Sequence, residues 1–279
     1  MAVSLSTNFV TLFDAEVKQA YAAQQQLAGT CRARMGVVGS TVKFPKIGSG
    51  VAGLRIPQTD VTPLNVAHTN VSASLSDYAA PEYTDIFDQS HVNYEERQEL
   101  VKVVSGAIGR RADQIKLDAL EASSTSLTVA NSIGGSNSNL NVAKIREAKR
   151  LLDGNNVPSG DRYFLMSADG LANLLSETEI SSSDYNTVKS LVNGAVDTFL
   201  GFKFIMMGDR DEGGLAIDGS SDRSTFAWHK DGLGYAESIS QSTEINYIAE
   251  KTSWLVTGKL SAGAVAIDDE GIVKITTRE

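Results

Sequence analysis

Residues 48–53 read Gly-Ser-Gly-Val-Ala-Gly, the G-x-G-x-x-G spacing that in a dinucleotide-binding turn lets backbone amides approach a pyrophosphate. That chemistry needs a helix opening within the motif, so that its N-terminal amides face the phosphates. Here Leu54-Arg55-Ile56-Pro57 follows, and proline stops a helix from supplying them. The glycines therefore read as the flexible tip of a hairpin. His68, His91 and His229 stand far apart, in no H-x-x-x-H or H-E-x-x-H arrangement, so no zinc site is expected. No G-x-S-x-G turn presents a nucleophile. Asp209-Arg210-Asp211-Glu212-Gly213 opens like a calcium loop, yet the twelfth position is Ser220, where a bidentate glutamate belongs. The single cysteine, Cys31, can form neither an intrachain disulfide nor a multi-thiolate site. We expect no catalytic residue, no cofactor and no metal, and so no enzyme.

The charged residues suggest contact more than catalysis. Lys43, Lys46 and Arg55, preceded by Arg32 and Arg34, make a basic segment on a chain of formal net charge -9. One reading is an ordinary solvated surface. The other is electrostatic docking onto an acid-rich surface of a second subunit, such as Glu95, Glu96 and Glu99. The acidic balance argues against a protein built to neutralise nucleic-acid phosphates. With 279 residues, 42% of them hydrophobic, a sizeable core is within reach. The N-terminus has no basic stretch leading into an apolar run, and no run approaches the ~20 apolar residues that cross a bilayer. Neither secretion nor a membrane is expected.

These residues need elements to carry them. Phe9, Phe13, Val17, Ala20 and Tyr21 fall three or four apart, which predicts an amphipathic helix over 8–27 closed by Gly29 and docked on something else, such as a neighbouring subunit. From 34 to 77, glycines and prolines break short β-prone runs into a long two-stranded excursion that needs a partner to lie on. The strongest helical signal covers 95–122, with Val101, Val104, Ile108, Ala112, Ile115 and Ala119 on one face. Gly106 and Gly109 inside it point to close packing or a bend, or are a tolerated weakness. An α+β unit follows a Ser, Gly and Asn-rich loop at 123–139: a helix capped by Asn141 running to Leu152, a strand at 162–166, helices near 168–175 and 185–193, and a strand at 201–207. Strand-like runs then occupy 224–228, 244–248, 252–260, 264–267 and 271–275.

This order, with the runs Lys43-Phe-Pro-Lys-Ile-Gly-Ser-Gly50, Pro63-Leu-Asn-Val-Ala-His68, Asp77-Tyr78 and Glu95-Glu-Arg-Gln98, resembles the tailed-bacteriophage major capsid protein of the Hong Kong 97-like fold across essentially the whole chain. The resemblance implies an N-terminal arm (1–35), an extended β-hairpin loop (36–77), a peripheral domain with a long spine helix (78–126), an α+β axial domain (127–235) and C-terminal strands returning to the peripheral domain and the axial sheet (236–279). The segment 208–223 is then a candidate axis-facing loop. It implies a virion structural protein that self-assembles into the hexamers and pentamers of an icosahedral head around double-stranded DNA, after assembly in the host cytoplasm. Its partners would be further copies of itself, a portal and, since no charged propeptide-like region opens the chain, a separate scaffolding protein. A decoration protein stays open as a partner, and packaged DNA would be met by non-specific proximity only. The subunit-contact candidates are Phe9, Phe13, Val17, Tyr21, Lys43, Lys46, Arg55, Glu95, Glu96 and Glu99. The alternatives are another virion part, such as a tail-tube or decoration protein, and an enzyme with an unrecognised site.

Overall fold

A computed structural model describes residues 24–61, 63–87, 95–177, 198–208, 210, 212–215 and 217–279. Three sheets organise them. The first runs β1 (Arg32–Arg34), β10 (Leu233–Ile248), β11 (Ser253–Ala266), β4 (Ser76–Asp85) in that spatial order, antiparallel except for the short parallel pairing of β1 with β10. The second, mixed sheet has the order β5 (Thr128–Val129), β12 (Ile272–Arg278), β9 (Asp222–His229), β6 (Arg162–Ser167), β8 (Phe202–Met207), β7 (Thr198–Phe199). The third is the hairpin of β2 (Thr41–Ile47) and β3 (His68–Ser74). Three helices, α1 (Glu96–Glu121), α2 (Val142–Gly154) and α3 (Ala168–Ser176), complete an α+β architecture.

The long helix α1 forms where the apolar period predicts it. Its buried residues Val104, Ile108, Ala112, Ile115 and Leu120 lie toward the first sheet. Each fully buried aliphatic side chain contributes roughly 1.5–3 kcal/mol. The helix comes close only because Gly258 lies beneath it: a Cβ there would sit 2.7 Å from Val104 Cγ1 and 2.8 Å from Ile108 Cγ1. The same core continues through Leu260, Tyr235, Trp228 and Phe226 into the second sheet. A second core under α2 and α3 holds Ile145, Ala148, Leu152, Phe164, Phe202 and Ile275. Asn141 caps α2 as expected, its side chain accepting from Lys144 N at 2.8 Å.

The C-terminal strands differ in extent from the sequence reading. The runs 252–260 and 264–267 merge into the single strand β11, because residues between them stay extended to pair with β10 on one side and β4 on the other. The run at 244–248 is the end of a 16-residue strand, bulged near Glu237 and Ile239. The expected helices over 8–27 and 185–193 lie mostly or wholly outside the described residues. The described end of the first, 24–27, is not helical.

The hairpin stands on a small core of its own, where Val42, Phe44 and Ala73 pack on Ala236 and Ile267. Glycine is required at its foot, since a Cβ on Gly263 would lie 2.0 Å from Ser74 O. The ladder closes with Gly48 N donating to Ala67 O at 2.9 Å, and the tip beyond it forms no strand.

Candidate assembly interface

The basic and acidic contact candidates lie at opposite ends of the first sheet. The hairpin leaves beside Glu237, where Val37 N donates to its carbonyl at 3.0 Å. It passes Gly234, close to the Phe44 ring, and reaches Asp268, which takes a 2.7 Å ion pair from Lys46. The hairpin thus runs against the direction of β10. Lys43 and Arg55 are exposed on it, and Lys46 is half-buried by its intrachain partner. Glu95, Glu96 and Glu99 open α1 at the far end, where the Arg97 guanidinium sits 4.9 Å over the Trp254 ring. Glu95 pairs with Arg97, and Glu99 takes a 2.7 Å bond from Lys102. Within one chain the two sets do not meet. Phe9, Phe13, Val17 and Tyr21 lie outside the described residues.

Sequence reading missed the polar cluster that fixes the root of the arm. Asp113, fully buried on α1, accepts from Gln26 N at 2.9 Å and Leu27 N at 3.1 Å. These amides are thereby withdrawn from helical bonding, which accounts for the non-helical backbone at 24–27. Lys116 Nζ donates to Leu27 O at 3.1 Å and lies 4.6 Å over the Tyr235 ring. Burial pulls the Lys116 pKa down and pushes the Cys31 thiol up; burial, aided by Glu237, also raises Tyr235. Arg210 approaches Asp113 at 3.6 Å and donates to Gln24 O at 3.2 Å.

That arginine belongs to the segment read as a candidate axis-facing loop. Its described residues from Arg210 to Gly213 lie along α1: Glu212 pairs with Arg111 at 2.8 Å, and Gly213 N donates to Gln114 Oε1 at 2.7 Å. The available signal was a carboxylate and a lysine three residues apart, bordering the apolar face of α1.

A second missed group is Lys144, whose buried ammonium donates to Ser138 O at 2.6 Å and Thr276 O at 2.9 Å, clamping the 131–141 loop to β12. Burial lowers its pKa to about 8, against the opposing charge of Asp222. Neither cluster has the exposed, convergent geometry of a catalytic centre. No group of three or more metal-ligating side chains occurs among the described residues.

The family model for phage capsid protein matches residues 5–279. The chain belongs to the phage capsid protein family. Solved structures similar in fold include the head of Helicobacter pylori bacteriophage KHP40, with TM-score 0.79 at 11% identity, covering 99% of this chain and 98% of that one. The capsid of the cyanophage P-SCSP1u gives 0.75 at 14%, covering 97% and 93%. A structure of Mycobacterium phage Che8 gives 0.71 at 17%, covering 96% and 97%. Among curated proteins none matches the sequence. The architecture is the Hong Kong 97-like one that the sequence resembled, and the protein is a major capsid protein of a phage head.

Proposed function

We propose that this capsid protein builds the hexamers and pentamers of an icosahedral head around double-stranded DNA by head-to-tail contacts, with the hairpin of one copy lying across the next. The observation that carries this reading is the hairpin tip. Val51, Leu54, Ile56 and Val61 are exposed there, on a projection that no described part of its own chain covers. Apolar side chains in that setting mark a surface that is covered by a partner. The opposite placement of the basic hairpin and the acidic start of α1 favours a contact between copies, since heterologous contacts that close into rings join two different surfaces.

On this reading residues 1–35 are the arm, 36–77 the extended loop, 78–126 the peripheral domain with its spine, 127–235 the axial domain, and 236–279 the returning strands. The chain acts structurally, in the virion shell, after assembly in the host cytoplasm with a portal and a separate scaffolding protein; a decoration protein could add to the finished surface. Its net charge of -9 suits a container that does not hold its DNA by specific contacts. No described helix is long and apolar enough to cross a membrane.

The test replaces residues 49–66 by Asn-Gly, a two-residue turn that suits the ladder closing at Gly48 and Ala67. The variant should keep the thermal unfolding transition of the subunit and lose shells in electron micrographs. Intact shells would refute the reading.

A further inference from the structure

The Asp113 carboxylate holds the root of the arm with both of its oxygens. Oδ1 accepts from Leu27 N at 3.1 Å and Oδ2 from Gln26 N at 2.9 Å. The two bonds differ in what surrounds them. Leu27 is fully buried, and Lys116 Nζ and Thr30 Oγ1 both donate to its carbonyl, at 3.1 and 3.0 Å. Trp228 Nε1 in turn donates to Thr30 O at 3.0 Å. Moving Leu27 therefore breaks a set of buried bonds and opens the core. Gln26, one residue earlier, is exposed. Leu27 is thus a pivot, on which residues 24–26 can turn.

Arg210 stands beside the same Oδ2. Its NH2 is 3.6 Å from that oxygen, beyond the roughly 3.2 Å reach of an N–H···O bond. Nε and NH2 form the guanidinium edge that takes a carboxylate side-on, yet both are buried without a hydrogen-bond partner. NH1 donates to Gln24 O at 3.2 Å, at the surface. Burial and the neighbouring Arg110 disfavour the charge, and Asp113 supports it. A buried donor edge with no acceptor is costly. The backbone leaves little slack to relieve it: a Cβ on Gly213 would lie 2.7 Å from Arg110 O, and one on Gly214 2.3 Å from Arg210 O. The side chain alone can close the gap to Oδ2, by a shift of about 0.5 Å.

We infer that Asp113 Oδ2 is a two-position switch at the arm root: Gln26 N occupies it while residues 24–26 lie on α1, and Arg210 takes it when they swing away about Leu27. The exchange gives up an amide bond and the surface bond from NH1 to Gln24 O. It gains a buried pair between a guanidinium and a carboxylate, the stronger kind of hydrogen bond. Turning residues 24–26 out then leaves neither charge unpaired, and the root has two directions of similar free energy. A chain that fills unequal positions in a shell needs such a root; that use rests on the reading above, whereas the switch is a property of the single subunit.

Hydrogen exchange in the unassembled full-length subunit tests this, with the Leu27 amide as reference because it shares the carboxylate. Arg210→Gln removes the alternative partner, so Gln26 should exchange roughly tenfold more slowly, the weight of one charge-assisted hydrogen bond, while Leu27 changes little. Arg210→Lys keeps the charge without the side-on edge and should slow Gln26 in the same direction by less, which keeps the test open should the glutamine variant not fold. With Asp113→Asn already in place, Arg210→Gln should leave Gln26 exchange unchanged. A clamp acting only through Gln24 O predicts the opposite sign: faster exchange at Gln26 in both Arg210 variants, with or without Asp113→Asn. Faster or unchanged exchange at Gln26 in Arg210→Gln and Arg210→Lys overturns the switch. Neither result bears on hairpin docking, which is read from assembled shells.

Discussion

At the scale of single residues, the side chains that hold this subunit together include charged ones inside it. Asp113 satisfies two backbone amides and faces Arg210 with no exposure to water. Removing one partner from a buried charged set leaves the others uncompensated, which costs about 3–5 kcal/mol. Asp113→Ala should therefore destabilise the subunit by about 3 kcal/mol or more in denaturant titration, with faster proteolysis around residues 24–31; an unchanged midpoint would show that the cluster is dispensable. Lys144 gives a prediction in pH. Its folded value, about 8, lies below the ordinary lysine value of 10.5. Between the two values the unfolded chain keeps the proton and the folded chain has released it, so rising pH favours folding. The cost of burying the charge is present below about pH 8 and is relieved toward pH 10.5. The unfolding free energy of the native chain, relative to Lys144→Met, should rise between about pH 8 and pH 10.5. A flat difference would mean that the ammonium is not paying for burial.

At the scale of elements, two glycines decide how close the parts approach. At Gly258 a methyl would press on the side chains of Val104 and Ile108, which can shift slightly, so Gly258→Ala should cost about 1–3 kcal/mol. At Gly263 the obstacle is the Ser74 carbonyl oxygen, backbone at the foot of the hairpin. Gly263→Ala should be the more disruptive, and hydrogen exchange should rise in β2 and β3 before it rises in α1. Equal exchange in hairpin and helix would contradict the seating of the hairpin on β11. The spine helix was legible from Val104, Ile108, Ala112 and Ile115 because their spacing matches the helical turn. β11 was read as two strands because the small residues around Gly263 carry little β signal on their own, and only pairing on both sides keeps them extended.

At the scale of the whole molecule, the exposed hairpin tip and the acidic start of α1 lie at opposite ends of the first sheet, which makes the subunit polar in the sense that head-to-tail assembly needs. Removing the tip, by replacing residues 49–66 with Asn-Gly, should leave subunits that stay monomeric in light scattering; rings or larger oligomers would show that another contact drives assembly.

The sequence by itself determined the absence of a recognisable catalytic motif, the long helix, the existence of a glycine-tipped basic hairpin and the resemblance to phage capsid proteins. Each depends on residue type and local spacing, which the chain carries without folding. Only the tertiary structure decided that Lys46 pairs with Asp268 in its own chain, that Asp113 and Lys116 grip residues 26 and 27, and that β10 has β1 as its outer neighbour, among the described strands, only from Gly234 to Ala236. Those contacts join residues far apart in the chain. A charge on a helix or a strand reads the same in sequence whether it faces water or a buried partner, and an edge exists only once the order of strands in the sheet is set.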